Sequence, residues 1–193
     1  MAHIQSRACM SLAICFTTSA QADVFHAPAD YPTIQAALDA SSQGDEINTA
    51  PGFYDGFYVS QQVLLYAQPG TTITSRVWIA EPGPILDGFR FLGGVTAIEP
   101  FSMTNCEFSV SGFYISGAYG PPPTIYNSSF ASIAGKGVSL DYADALLDQC
   151  HFQDVGQQSI SLSNTCQVWV SSSVFVDNGP LDGSAARVTH PMR

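Results

Sequence analysis

The chain has 193 residues, 46% apolar and 11% charged, and its 16 Asp and Glu against 6 Lys and Arg give a formal net charge of −10. This length suits one domain with a sizeable core, and so apolar a composition excludes a disordered chain. The charge excludes a basic phosphate-binding stripe, so nucleic acid is not an expected partner, and a bare polyanionic glycan is repelled overall unless bound cations bridge it.

The first 22 residues follow the order of an export signal. Arg7 precedes the apolar run from Ala8 to Phe16, and Ala20-Gln21-Ala22 supplies a small-residue cleavage box. The run is too short to span a bilayer, and no later segment has the length to do so. Cleavage near Ala22 leaves 23–180 as the folded domain and 181–193 as an irregular tail, and it puts the protein outside the cytoplasm, secreted or periplasmic. Cys9 and Cys15 leave with the leader. Cys106, Cys150 and Cys166 remain, an odd number without metal-type spacing, which reads as buried cysteines used as small hydrophobes.

Val24 and Phe25 open the domain as a short strand. Thr33 to Ala40 then shows helical spacing, with Ile34, Ala37 and Leu38 on one face, Pro32 suited to the first turn and Gly44 ending the segment. One short helix with one small apolar face predicts a lid. Short strands follow through Ile47 and Thr49, then over 57–59, 63–66, 71–74 and 77–79, punctuated by Pro51-Gly52, Pro69-Gly70 and Pro82-Gly83-Pro84. No long helix separates them, which argues against a doubly wound α/β fold.

The second half repeats. Ile85 to Phe91, Ser102 to Phe108, Thr124 to Phe130, Leu146 to Phe152 and Trp169 to Phe175 align, and their terminal phenylalanines are 17, 22, 22 and 23 residues apart. One column of the alignment is always apolar (Leu86, Met103, Ile125, Leu147, Val170) and another is always Phe (Phe91, Phe108, Phe130, Phe152, Phe175). Between them run Phe89, Cys106, Ser128, Cys150 and Ser173, mostly small. The position before the small column, Gly88, Asn105, Asn127, Gln149 and Ser172, suits a tight bend, where stacked amides bond from coil to coil. The fold class is therefore all-β: a single-stranded right-handed parallel β-helix of coils of about two dozen residues, behind a short N-terminal capping helix. Cys106 and Cys150 fall two coils apart, about 9.6 Å, too far for a disulfide.

The segment Asp30 to Ala40, then Gly44-Asp45, then Ala50-Pro-Gly-Phe-Tyr-Asp55 resembles the N-terminal cap and first coils of pectin-lyase-like β-helix proteins, and the Asn-Cys-x-Phe repeats resemble their later coils. The likeness covers nearly all of 23–178. It implies that the helix plugs the N-terminal end of the solenoid. The superfamily holds lyases, hydrolases, esterases, epimerases and proteins without known chemistry, so the likeness by itself assigns no reaction.

Function would sit on the outward columns. Asp87, Arg90, Glu107, Asp148 and His151 are the catalytic candidates, Asp148 or Glu107 as acid or base and Arg90 as a contact for a sugar carboxylate; the competing reading is a solvated polar face with surface ion pairs. Tyr126, Tyr142 and Trp169 are the carbohydrate-stacking candidates, with Tyr114 and Tyr119 beside them. No metal site is expected. Asp141, Asp144, Asp148 and Asp154 are dense enough to make calcium the cofactor to consider, but their spacing matches no loop motif, which favours scattered surface acids. His26 and His190 have no partner pattern, and 117–123 reads as a protruding loop. Segments that polygalacturonase-like and pectinesterase-like sites require are absent. The expectation is a non-catalytic extracytoplasmic module that binds a polysaccharide or cell-surface glycan. The alternatives are a polysaccharide lyase or hydrolase, and a truncated fragment, since the C-terminal segment lacks a capping repeat and its open end invites association.

Overall fold

The computed structural model describes residues 21–117 and 120–179 and the backbone of 186–188. Among these described residues, three parallel sheets of nine, seven and six strands run side by side along one axis, and the chain visits them in turn, first, second, third, once per coil. The first sheet has nine strands, beginning Val24–Ala27, Glu46–Thr49, Leu64–Ala67 and Ile85–Asp87 and continuing to Val168–Ser171 and Ala186–Val188. The second has seven, from Gly52–Tyr54 to Val174–Val176. The third has six: Tyr58–Val59, Val77–Ile79, Val95–Ala97, Phe113–Ser116, Lys136–Asp141 and Gln158–Ser163.

The columns read from the repeat are columns in space. Leu86, Met103, Ile125, Leu147 and Val170 are register partners along the first sheet, and all are buried. The phenylalanines stack along the second sheet. Phe91, Phe108, Phe130, Phe152 and Phe175 have successive ring centroids 5.1, 4.6, 4.6 and 4.8 Å apart, and the last three pairs lie within 5° of parallel. These distances follow the spacing of neighbouring strands, so each ring fills one layer of the interior and covers the next. Full burial of a phenylalanine contributes on the order of 1.5–3 kcal/mol. The stack is the structural reason that Phe recurs.

The bends between first and second sheets explain the polar columns. Gly88, Asn105, Asn127, Gln149 and Ser172 all have positive φ, between 46° and 79°. This left-handed conformation turns the chain in one residue and suits Gly and Asn best. A Cβ on Gly88 would meet the Ala67 carbonyl oxygen at 2.7 Å, which explains why this bend alone is glycine. The expected amide ladder is present: Asn127 Nδ2 donates to Asn105 Oδ1 at 2.7 Å, and Asn105 Nδ2 donates to Asp87 Oδ1 at 2.6 Å. The small column beside it closes the turn from inside. The Cys106 amide donates to Ser128 Oγ and the Cys150 amide to Ser173 Oγ, satisfying N–H groups that the bend frees.

The helix is Ile34–Ala40, and its buried residues are Ile34, Ala37 and Leu38, as the spacing predicts. Thr33 is its N-cap and accepts the Ala36 amide, so Pro32 stands just outside the helix and not in its first turn. The helix packs against the first two strands, Val24–Ala27 and Glu46–Thr49. Gln35 extends the cap to the third sheet. Its side-chain carbonyl accepts the Tyr58 amide at 2.8 Å and its NH2 donates to the Tyr58 carbonyl, so one amide side chain stands in for a missing strand. Gln61 ties the other end by donating to the carbonyls of Leu38 and Ser41.

The repeat also begins earlier than the phenylalanines announce. Ile47, Leu65 and Leu86 are register partners, so the coils before Phe91 are full coils with Tyr54 and Ile73 in place of Phe. No helix among the described residues is long and apolar enough to cross a membrane.

Candidate functional site

The five candidate acids and bases lie on two different sheets. Asp87 and Asp148 face outward from the first sheet, three strands apart in one register column, or about 14 Å. That separation exceeds the spacing at which two carboxylates flank a glycosidic bond. Arg90, Glu107 and His151 lie beyond the bend on the second sheet, in the column Arg90, Glu107, Ser129, His151. The structure brings Arg90 and Glu107 together, with Nε 3.4 Å from Oε1 and both side chains about half exposed. It does not bring Asp148 to His151, which face opposite sides of the Gln149 bend.

The two aspartates are structural acceptors. Asp87 accepts Thr104 Oγ1 at 2.8 Å and the Asn105 amide, which makes its carboxylate the end of the amide ladder. Asp148 accepts Ser171 Oγ at 2.7 Å. Two further acids of the calcium reading are engaged by neighbouring coils, Asp141 by Asn164 of the next coil and Tyr114 of the preceding one, and Asp144 by the Gln167 amide at 2.7 Å, whereas Asp154 is exposed on the corner after the second sheet. No group of three or more His, Cys, Asp or Glu able to hold a metal occurs among the described residues. Tyr119 and His190 lie outside the described residues, as do 118–119 of the 117–123 loop, most of the leader and most of the tail. His26 is paired, its Nδ1 2.9 Å from Asp30 Oδ2.

Cys106, Cys150 and Cys166 are free and buried. Burial pushes the Cys106 thiol up to about 12, helped by the Asp87 carboxylate, and the Cys150 thiol up to about 11, helped by Asp148. Neither thiol is a nucleophile near neutral pH.

The proposed sugar-stacking residues are dispersed. Tyr126 and Trp169 both sit on the first sheet but in different columns, Tyr126 with Asp148 and Trp169 with Leu146, and Tyr142 is on the corner after the third sheet. The concentration of aromatic surface is elsewhere. On the third sheet, Tyr58, Trp78, Thr96, Tyr114, Ser139 and Ser161 are register partners in one outward column. Tyr58, Trp78 and Tyr114 are 49%, 46% and 41% exposed, whereas Thr96, between Trp78 and Tyr114, is 5% exposed. The strand spacing puts Tyr58 and Trp78 about 4.8 Å apart and Trp78 and Tyr114 about 9.6 Å apart along the axis. The Tyr114 hydroxyl is 3.4 Å from Asp141 Oδ2, a contact that orients its ring.

Beside this row runs a cleft of about 340 Å³, lined by Arg76, Thr96, Ser111, Tyr114, Lys136 and Ser139 among others. Gly94, Gly112 and Gly135 line it at the corner leading into the third sheet, and a Cβ on Gly112 would meet the Lys136 carbonyl oxygen at 2.1 Å, so that position does not tolerate a side chain.

The family description "Right handed beta helix region" matches residues 58–189. The chain belongs to this right-handed β-helix family. The match spans most of the coils, in agreement with the likeness read from the repeats, and begins after the cap segment. Comparison with curated proteins and with solved structures returns no significant match. Membership in the right-handed β-helix family establishes the scaffold, and the chemistry of the outward faces has to come from their own residues.

The triplets Phe57-Tyr58-Val59, Val77-Trp78-Ile79 and Phe113-Tyr114-Ile115 carry the signal that would have exposed the aromatic row. Each is an in-out-in strand with an aromatic outside. Alignment on the phenylalanines begins at Phe91, so the first two triplets fall outside it.

Proposed function

We propose that this protein is an extracytoplasmic β-helix module that binds a glycan along its third sheet, with the sugar chain parallel to the solenoid axis, and performs no chemistry on it. The observation that carries the reading is the outward row Tyr58, Trp78 and Tyr114 in strict register on one face. An aromatic face offers apolar surface to the C–H face of a pyranose, and rings one and two strand spacings apart suit sugars recurring along an extended chain. The leader-like first 22 residues support an extracytoplasmic location. The engagement of Asp87 and Asp148 by Thr104, Asn105 and Ser171 supports binding in place of turnover, because a general acid or base needs a free proton-transfer path.

Affinity electrophoresis through gels cast with a panel of neutral and acidic polysaccharides tests this. Retardation by at least one glycan, lost in Trp78→Ala and weakened in Tyr58→Ala and Tyr114→Ala, is the expected result. Release of reducing or unsaturated sugars that disappears in Asp148→Ala would replace it with the lyase or hydrolase reading.

A further inference from the structure

We infer that the third-sheet face selects a largely neutral glycan carrying isolated anionic substituents, carboxylate or sulfate, and discriminates against a chain charged on every sugar. The inference rests on the glycan-binding reading above and names the class of glycan.

The two edges of the third sheet carry opposite charge. Arg76 immediately precedes Val77–Ile79, and Lys136 opens Lys136–Asp141, both on the edge where strands enter. The Arg76 side chain is exposed and has no hydrogen-bond or ion-pair partner among the described residues. Lys136 lays its ammonium across the face, 2.9 Å from Ser161 Oγ, on the next strand. Both line the cleft beside Tyr114. On the edge where strands leave stand Glu81, Glu99, Asp141 and Asp144. In a chain of net charge −10, the entry edge is thus one of the few places with unopposed cations, although Asp55 and Asp154 lie further back on the same corner.

The spacing sets the charge density. Arg76 and Lys136 belong to strands three steps apart, and the reach of Lys136 adds up to one step, so the two cations are between about 14 and 19 Å apart along the axis. Two anionic groups on sugars several residues apart can meet both. A chain with a carboxylate on every sugar places most of them against Thr96, Tyr114 and Ser139, which offer no cation. An extended chain that twists between residues also turns some toward the carboxylate edge, where like charges repel. A guanidinium and an ammonium at an exposed site give charge-assisted bonds that salt weakens.

The test compares dissociation constants for four oligosaccharide probes by calorimetry: an unsubstituted xylan oligomer, the same oligomer with isolated glucuronic acid branches, the same with isolated sulfate esters, and an oligogalacturonate. The expected order is one of the sparsely substituted probes tightest, by at least threefold over the unsubstituted one, and the oligogalacturonate weakest. The arm that wins identifies carboxylate or sulfate. Arg76→Gln and Lys136→Gln each bring the ratio of substituted to unsubstituted affinity toward one, whereas Arg90→Gln on the second sheet leaves it unchanged. Oligogalacturonate binding as tightly as the sparse probes, or a ratio unmoved in Arg76→Gln and Lys136→Gln, overturns the inference. Equal affinity for substituted and unsubstituted probes, with binding still lost in Trp78→Ala, sinks this inference alone. Absence of binding to all four probes and to every glycan of the wider panel sinks the glycan reading and this inference with it.

Discussion

Trp78 and Tyr58 are Cα partners on neighbouring parallel strands of the third sheet, with both side chains outward and nearly half exposed. Large aromatics this exposed, side by side and in register, are surface that the fold does not need for its own stability. The same coils bury Phe57, Val59, Val77 and Ile79 on the opposite side of the strand. Packing and presentation are divided residue by residue along each in-out-in triplet, so variants on the outer column and variants in the core have separable consequences.

Core variants test the phenylalanine column. Phe130 is sandwiched between Phe108 and Phe152 at 4.6 Å on both sides. Phe130→Ala removes a fully buried ring and two stacked contacts, and a loss of about 3–5 kcal/mol in unfolding free energy is expected from chemical denaturation. Phe175 is only partly buried, so Phe175→Ala costs less. Equal losses at the two positions would contradict the column as drawn.

The bend between first and second sheets separates conformation from hydrogen bonding. Asn105 holds φ 54° while donating to Asp87 and accepting from Asn127. Asn105→Ala loses both the ladder and the ease of a left-handed φ, for an expected cost of about 1–3 kcal/mol. Asn105→Gly restores the conformation without the ladder and recovers part of that loss. A glycine variant as unstable as the alanine one would show that the turn geometry contributes nothing.

Much of this was legible in advance, and the reason is physical. Inward positions are constrained once per coil by the same neighbours, so Leu86, Met103, Ile125, Leu147 and Val170 read as one column from the sequence alone. The helical lid was legible from Ile34, Ala37 and Leu38. The outward face was not. Asp87 and Arg90 look like one strip in sequence, yet the single left-handed residue Gly88 sends them to different sheets. Arg90 pairs with Glu107 from the next coil, a partner 17 positions away. Tyr58 and Trp78 escaped because their coils have no phenylalanine anchor, Tyr54 and Ile73 taking that place. Outward residues answer to ligands and solvent, neither of which repeats along the chain.

The buried thiols give the protein a signature in alkali. Cys106 and Cys150 are neutral in both states below their ordinary pKa of 9.0, and burial raises them to about 12 and about 11 in the folded state. Above pH 9 the unfolded chain therefore sheds protons that the folded chain retains, and stability declines as pH rises, by about 1.4 kcal/mol per pH unit for each thiol until its folded pKa is reached. Denaturation midpoints measured at pH 8 and pH 10 should differ less in Cys106→Ala and Cys150→Ala than in the parent chain. An equal pH dependence, or rapid reaction of these thiols with Ellman's reagent in the folded protein at pH 8, would show that they are accessible.

The Arg90–Glu107 pair is half exposed, and its removal is expected to cost less than about 1 kcal/mol. Arg90→Ala and Glu107→Ala should therefore unfold within that margin of the parent and keep their glycan affinity. A large loss of affinity in either would move the binding face to the second sheet.

The chain contains two tryptophans, Trp78 on the third sheet and Trp169 on the first, so intrinsic fluorescence distinguishes the two faces directly. In Trp169→Phe the emission reports Trp78 alone, and titration with a glycan found to retard the protein should quench or shift it with the same midpoint as in the parent chain. In Trp78→Phe the remaining emission should not respond. A response that persists in Trp78→Phe and vanishes in Trp169→Phe would place the glycan on the first sheet and contradict binding along the Tyr58, Trp78 and Tyr114 row.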